Sequence, residues 1–431
     1  MARYGVPGAS VAIVRDGQPY VGSYGVRRLS AKDPVTPRTA FNVASTSKAF
    51  TAATVAPLAD FGITSWDDPV RKRAPEFEAP DPWISDHMTL RDLSANRSGL
   101  PRTGVCEFGT ELAITVEEVI RRLKYVEPLH RFRQRFKYSN IGHTVVALAA
   151  ARAYGSTYLK ALRELILEPL GMTDTSCGTA ARTELQDQAG WHCSVDGRTI
   201  EIDPIYTDVH MGTAGMCVSA QDAARWLRFL LGDGTVDGKR VLSKEALAEL
   251  FTPQIVVRPE ELAIWIGPPE AKFAGYCLGW ACSEQSGYKV FRHSGSDFGV
   301  NAHVVLVPEA RLGIAAYVNK DCKASIEITY RALDALLDLP PRDWTRIIND
   351  RTLPDTNASF RHSPLTPPAP RPLDRPQRYV GVYFHPANGR ICVQLGEQGI
   401  LEVRFADASV FDSELRPLGG DRFLTVPFYP G

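Results

Sequence analysis

The chain has 431 residues, long for one domain and enough for two or three. With 44% hydrophobic and 23% charged residues it has the composition of an ordinary globular protein, and 49 basic side chains balance 49 acidic ones, which excludes nucleic acid or an anionic membrane as a bulk-charge partner. No apolar run reaches the ~18 residues needed to span a bilayer, so no membrane association is expected.

The N-terminus, "MARYGVPGASVAIV", lacks the layout of a signal peptide because Pro7 and Gly8 interrupt it, which predicts a cytoplasmic protein. "ASVAIVRDGQPYVGSYGVRR" reads as two strands around an Asp16-Gly17 turn. From Ser45, "STSKAFTAATVAPLADFG" predicts a helix that stops at Gly62, despite its threonines and Pro57. Helical periodicity also covers residues 115–127 and 141–170. "SAQDAARWLRFLLGDG" is a further helix with Ser219 as its N-cap, Asp222 at its third position and Gly232 beyond its end. Three strand-like runs follow, "YKVFRHSG", "NAHVVLVPE" and "LGIAAYVN", and then the helix "SIEITYRALDALLDL".

Strands at both ends with helices between them predict an α+β domain, an antiparallel sheet flanked by helices, over residues 1–345. A proline-rich linker is expected over 346–376, with six prolines in the fifteen residues of "HSPLTPPAPRPLDRP". Residues 377–431 then form a small all-β domain from "RYVGVYF", "RICVQLG", "ILEVRFA" and "RFLTVPF". The eight cysteines show no C-x-x-C pair and read as reduced thiols, and the nine histidines show no H-E-x-x-H, so neither a metal nor another cofactor is expected.

Three short patterns carry chemistry: Ser45-Thr46-Ser47-Lys48, Tyr138-Ser139-Asn140 and His293-Ser294-Gly295. Decoys of each exist at Ser286–Lys289, Tyr317–Asn319 and His210–Gly212, and context separates them. Ser45 opens a predicted helix, which sets Lys48 one turn along on the same face, whereas Ser286 precedes a strand. A serine hydroxyl attacks only when a base takes its proton. Free lysine and tyrosine, with pKa values of about 10.4 and 10, serve only where burial or a neighbouring charge shifts them. Lys48 and Tyr138 therefore titrate as a pair, and the proton carrier stays open. Asn140 offers a side-chain amide to a substrate carbonyl. His293 is a polar group at the edge of the site. His143 and His210 are read as structural or substrate-side residues, and Ser47 as a packing residue.

Together with "VPGASVAIVRDG", "LSANRSGLPR", "FRQRFKYSNIGH", "LEPLGMTDTS", "GTAGMCVSAQDAARW" and "CLGW", in this order, the three boxes resemble the serine β-lactamase and penicillin-binding-protein family, in its class C, peptidase and esterase branch. The resemblance spans roughly residues 6 to 335, and the tail resembles the lipocalin-like β-domain of some members. It implies a β-lactamase/transpeptidase-like fold with a helical subdomain and an acyl-enzyme on Ser45. Lys48, Tyr138 and His293 would be catalytic, and Asn140, Gly295 and Ser296 would bind substrate. The oxyanion would lie between the backbone N–H groups of Ser45 and Ser296. Two departures stand out. His-Ser-Gly replaces the Lys-Thr-Gly of many β-lactamases, so a permanent cation is lost, and the helix that usually precedes "VPGASVAIV" is nearly absent. His293, with an ordinary pKa near 6.5, is expected to regain that cation near pH 6 and so to tune binding of carboxylate substrates. The expected activity is hydrolysis of small peptide or amide bonds. The alternatives are an esterase, an acyltransferase or peptide-cyclising thioesterase, and an inactive sensor of acyl or peptidoglycan fragments. Nothing in the sequence speaks to oligomeric state.

Overall fold

The structure is a computed structural model that describes residues 1–101, 115–195, 197–204, 208–263, 265, 267–350, 373, 375–387, 389–396, 399–405, 412–419 and 422–427. Alternating burial along β1 (Gly8–Arg15) marks a strand with one face in the core. It turns into β2 (Gln18–Gly25) through Asp16 and Gly17, at φ 52° and 79°, the left-handed pair that a two-residue hairpin demands. The other edge of β1 pairs with β8 (Leu312–Val318), from Ala9 opposite Val318 to Arg15 opposite Leu312. The N-terminal hairpin thus completes a sheet built mainly from late strands: β3 (Ile255–Val256), β4 (Ala274–Tyr276), β5 (Ala281–Gln285), β6 (Tyr288–Asp297) and β7 (Val300–Val307). This eight-stranded sheet has the order β3-β4-β5-β6-β7-β8-β1-β2, with antiparallel pairs throughout. Every residue of β7 and β8 is buried, because helices cover both faces.

Helix α1 (Ser47–Asp60) is buried on all sides except at its last two residues, so it is a central helix and not an amphipathic surface one. The Thr54 hydroxyl donates to the Phe50 carbonyl at 2.8 Å, which satisfies a polar group the core could not otherwise hold. Beyond it lie α2 (Pro82–His87), α3 (Asn140–Tyr154), which packs on α1, and α4 (Ala220–Leu230), which packs on β1 and β8. The α4 start is as expected: Ser219 Oγ accepts from Asp222 N at 3.1 Å. Helices α5 (Ala324–Leu336) and α6 (Trp344–Asp350) cover the opposite face near β7 and β8 and stack Tyr330 on Trp344 at 4.1 Å.

Several boundaries differ from the sequence reading. The helix expected over 141–170 is broken at Gly155 (φ 77°), whose left-handed conformation caps α3, before Tyr158–Leu162 and a single π-turn at Arg163–Leu167. The helix expected over 115–127 is Val116–Arg122 plus a short 3-10 turn. Residues 346–350, placed in the linker by composition, are the last turns of α6, held by burial of Ile348 beside Trp344. The rest of the linker through 372 lies outside the described residues. The tail is a five-stranded antiparallel sheet, β9 (Gly381–His385), β10 (Gly389–Leu395), β11 (Leu401–Phe405), β12 (Ser413–Gly419) and β13 (Arg422–Pro427). Its fourth strand, "SELRPLG", had no alternation to announce it. Ala387, in the β9–β10 turn, is 1% exposed and belongs to the core packed between the large sheet and its helices, not to the tail's own core of Val393, Leu401 and Val403. The seven described cysteines are free thiols, and Cys106 lies outside the described residues. Among the described residues no helix is long and apolar enough to cross a membrane.

Candidate active site

Ser45 sits in a 3-10 turn, Ala44–Thr46, that runs directly into α1, and is not the first residue of the α-helix itself. The turn is wound tightly: Ala44 has φ 44°, and its N–H is taken by Asn42 Oδ1 at 2.9 Å. Ser47 Oγ donates to the Ala44 carbonyl at 2.6 Å and accepts from Met216 N at 3.0 Å. Ser47 is therefore structural, as its spacing implied, and it ties the turn to the "GTAGM" segment. Positive φ at a non-glycine residue costs of order 1 kcal/mol or more and persists only where surroundings hold it, and here Asn42 and Ser47 do so.

Lys48 lies one turn along, 0% exposed. Its Nζ donates to Ser45 Oγ at 3.2 Å, Asn140 Oδ1 at 2.8 Å and the Thr213 carbonyl at 3.2 Å, and stands 4.8 Å over the Tyr138 ring centroid. The first two boxes thus meet at one ammonium. Asn140, expected to face a substrate carbonyl, spends its own carbonyl oxygen on Lys48.

The third box enters from β6. Strand β5 pairs with β6 only as far as Ala281 opposite Arg292, while β7 pairs with it onward to Asp297. The β5 side of β6 is therefore unpaired from His293, and this stretch passes the serine turn. A Cβ on Gly295 would stand 2.0 Å from the Val43 carbonyl oxygen and 3.0 Å from Ser45 N, so only glycine allows the two backbones this close. The Gly295 carbonyl accepts from Asn301 Nδ2 at 2.9 Å, and Ser296 Oγ donates to Asp321 Oδ1 at 3.2 Å.

His293 departs from expectation. It is 1% exposed, and burial first, then the charge of Lys48, push its pKa down to about 3. Its Nδ1 lies 2.7 Å from the Ser294 carbonyl, which can only accept, so Nδ1 carries the proton. Nε2 then accepts the Tyr276 hydroxyl at 3.0 Å. With both nitrogens engaged, the expected protonation near pH 6 is overturned: desolvation first, and then the proximity of Lys48, holds the ring neutral. The same two causes, burial and then Lys48, push His210 down to about 4 and His143 well below its ordinary value. Three neutral imidazoles thus lie within the electrostatic reach of Lys48.

The residues sequence reasoning missed are those that hold the boxes. Tyr276 orients His293. Trp265 stands edge-on to Tyr138 at 5.5 Å and beside His293 at 5.4 Å. Asn96, in the left-handed region at φ 54°, accepts from Ser139 N at 2.9 Å and so fixes the middle of the second box. Asn96 lies inside "LSANRSGLPR" and Tyr276 just before "CLGW", so segment similarity marked their neighbourhoods. No periodicity marks Trp265.

An antiparallel sheet with a helical subdomain, and a serine and buried lysine at the junction, define the class. The Beta-lactamase family model matches residues 1–337, and the chain belongs to that family, one of hydrolases. Among its relatives is the protein named unguisins hydrolase ungD' of Aspergillus campestris, 26% identical over 423 residues that cover 92% of this chain and 76% of that one. Protein flp of Staphylococcus aureus is 26% identical over 321 residues, 73% of this chain and 60% of that protein. The fold is shared with the octameric penicillin-binding protein homologue from Pyrococcus abyssi, at TM-score 0.70 and 22% identity over 98% of this chain and 89% of that one. It is also shared with SurE, at TM-score 0.65 and 21% identity over 100% and 89%.

Proposed function

We propose that this protein is a serine hydrolase that forms an acyl-enzyme on Ser45 and hydrolyses small peptide or amide bonds. The observation that carries this is the Lys48 Nζ at 3.2 Å from the partly buried Ser45 Oγ, on a lysine that is itself buried and also bound to Asn140 and Thr213. A neutral amine in that position keeps its bonds to Asn140 and Thr213 and turns its lone pair to the Ser45 proton. An ammonium in the same position favours a phenolate on Tyr138, whose ring centroid lies 4.8 Å from Nζ, as the base. Lys48 and Tyr138 are one relay in either case. As Ser45 Oγ bonds to the substrate carbonyl carbon, negative charge moves to the carbonyl oxygen. Ser45 N–H and Ser296 N–H are the donors proposed for it, and such preorganised donors supply several kcal/mol. The relay proton then passes to the leaving amine, and water attacks the ester in the same way.

The name of the Aspergillus relative supports a hydrolase of a peptide-type substrate here too. A neutral His293 in place of the third-box lysine argues against efficient β-lactam destruction. A small fluorophosphonate should add one label to the peptide containing Ser45, and Ser45→Ala should abolish it. Labelling that survives in the variant removes Ser45 as nucleophile.

A further inference from the structure

The segment Asn96–Pro101 forms a ladder with residues 129–139. Leu129 N donates to the Gly99 carbonyl, Arg133 N to the Arg97 carbonyl and Lys137 N to the Asn96 carbonyl, each at 2.9 Å. The ladder ends at the second box, where Ser139 Oγ donates to the Pro101 carbonyl at 3.2 Å. On its outer side, between it and α2, lies a cleft of about 730 Å³. That size falls within the roughly 300–1,000 Å³ of small-molecule sites. One wall is aromatic: Trp83 stacks on His87 at 4.0 Å, meets Phe132 edge-on at 6.3 Å, and is still 55% exposed. Leu129, also 55% exposed, stands across from it.

The charges of the cleft are unequal. Asp81 is held by the start of α2, its Oδ1 accepting Trp83 N at 2.8 Å, and Arg133 is bound to the buried carboxylate of Asp92 at 2.8 Å. Arg131 is exposed, and among the described residues its guanidinium makes no ion pair or hydrogen bond. His130 lies beside it. The cleft therefore offers an apolar, aromatic trough with an uncommitted cation at its rim.

We propose that this cleft is a binding site for an aromatic or branched aliphatic group that carries a carboxylate, the ring against Trp83 and Leu129 and the carboxylate on Arg131. The ladder that walls the cleft reaches the second box at Ser139, which makes the cleft a subsite for the end of the substrate remote from the scissile bond, an assignment that rests on the hydrolase reading. Binding energy gained there is available to position the reacting carbonyl.

The test is calorimetric titration of the full chain with 4-phenylbutyrate and with 4-phenylbutyramide, its neutral counterpart. The carboxylate should bind at least fivefold more tightly than the amide. Arg131→Ala should remove that difference, and Trp83→Ala should weaken both ligands at least tenfold. Both side chains are exposed, so unchanged circular dichroism confirms that the variants fold. Protein capped at Ser45 with a fluorophosphonate should bind 4-phenylbutyrate as before. No binding to the unmodified chain, equal binding by Trp83→Ala, or loss of binding on capping would each overturn the proposal. Failure of Ser45 to accept the fluorophosphonate would overturn the hydrolase reading alone, since the titration does not depend on catalysis. With both in place, peptide amides ending in a free phenylalanine carboxylate should outpace those ending in alaninamide, and either variant should erase the lead.

Discussion

Lowering the pH should unfold this protein before it activates any histidine. Four histidines, His143, His210, His293 and His303, are fully buried and held below their ordinary 6.5 by desolvation, with nearby positive charge, from Lys48 or Arg292, adding to it. A base depressed in the fold binds fewer protons than in the unfolded chain, so its contribution is intact above about pH 6.5 and is lost as pH falls. Each histidine then subtracts about 1.4 kcal/mol per pH unit, or about 2 kcal/mol by pH 5. Four give about 8 kcal/mol. Asp222 works in the opposite sense: burial raises it to about 6, so between pH 6 and its unfolded value of 3.8 the fold is the better proton binder. By pH 5 it returns about 1.4 kcal/mol. The net loss of about 6 or 7 kcal/mol rivals the whole stability of a typical domain, about 5–15 kcal/mol.

Urea unfolding at pH 7.5, 6.5, 5.5 and 5.0 should therefore show a net uptake from these groups approaching three protons, about four taken up by the histidines less nearly one released by Asp222, and His293→Asn should remove one of them. At pH 5.5, a His293 pKa of about 3 corresponds to roughly 0.3% protonation, against about 90% for an unperturbed imidazole. Hence kcat/KM for a carboxylate substrate should show no gain over its neutral amide as pH falls. Unfolding free energy that stays flat from pH 7.5 to 5, or a His293 ring that titrates near 6 by NMR, would refute the reasoning.

Lys48→Ala, Tyr138→Phe and the double variant should lose Ser45 acylation by similar large factors, of order 10³ or more, in stopped-flow acylation; penalties that multiply would mean two independent groups. Tyr276→Phe removes the donor to His293 Nε2 and leaves a buried acceptor unpaired, so unfolding should become easier by about 1–3 kcal/mol. If that variant melts like the wild type, the hydroxyl does not hold His293. Cutting the chain near Arg371, or Ala387→Asp at the buried β9–β10 turn, should change KM or substrate preference more than Ser45 labelling. A folded truncation that no longer labels would place the tail inside the catalytic site.

Local sequence by itself determined whatever depends on neighbours in the chain. Asp16-Gly17 had to turn because few other pairs adopt positive φ twice, Ser219 had to cap α4, and Ser45 and Lys48 had to share a helical face. The α+β class and the three boxes were legible for the same reason. Gly155 shows the limit, since apolar spacing continues across it while the backbone reverses there. The tertiary structure decided what depends on solvent exclusion and on contacts far apart in sequence. A histidine read alone titrates near 6.5, and only its burial beside Lys48 and under Tyr276 makes His293 a neutral ring. Asn140 reads from sequence as a substrate-side amide, and only the fold shows that its carbonyl oxygen accepts from Lys48, 92 positions away, which leaves the Nδ2 group as the part that can face a substrate. Segment similarity marks only the neighbourhoods of Asn96 and Tyr276, and nothing marks Trp265, because the roles of all three depend on partners from other elements, and burial energy depends on those partners, not on spacing.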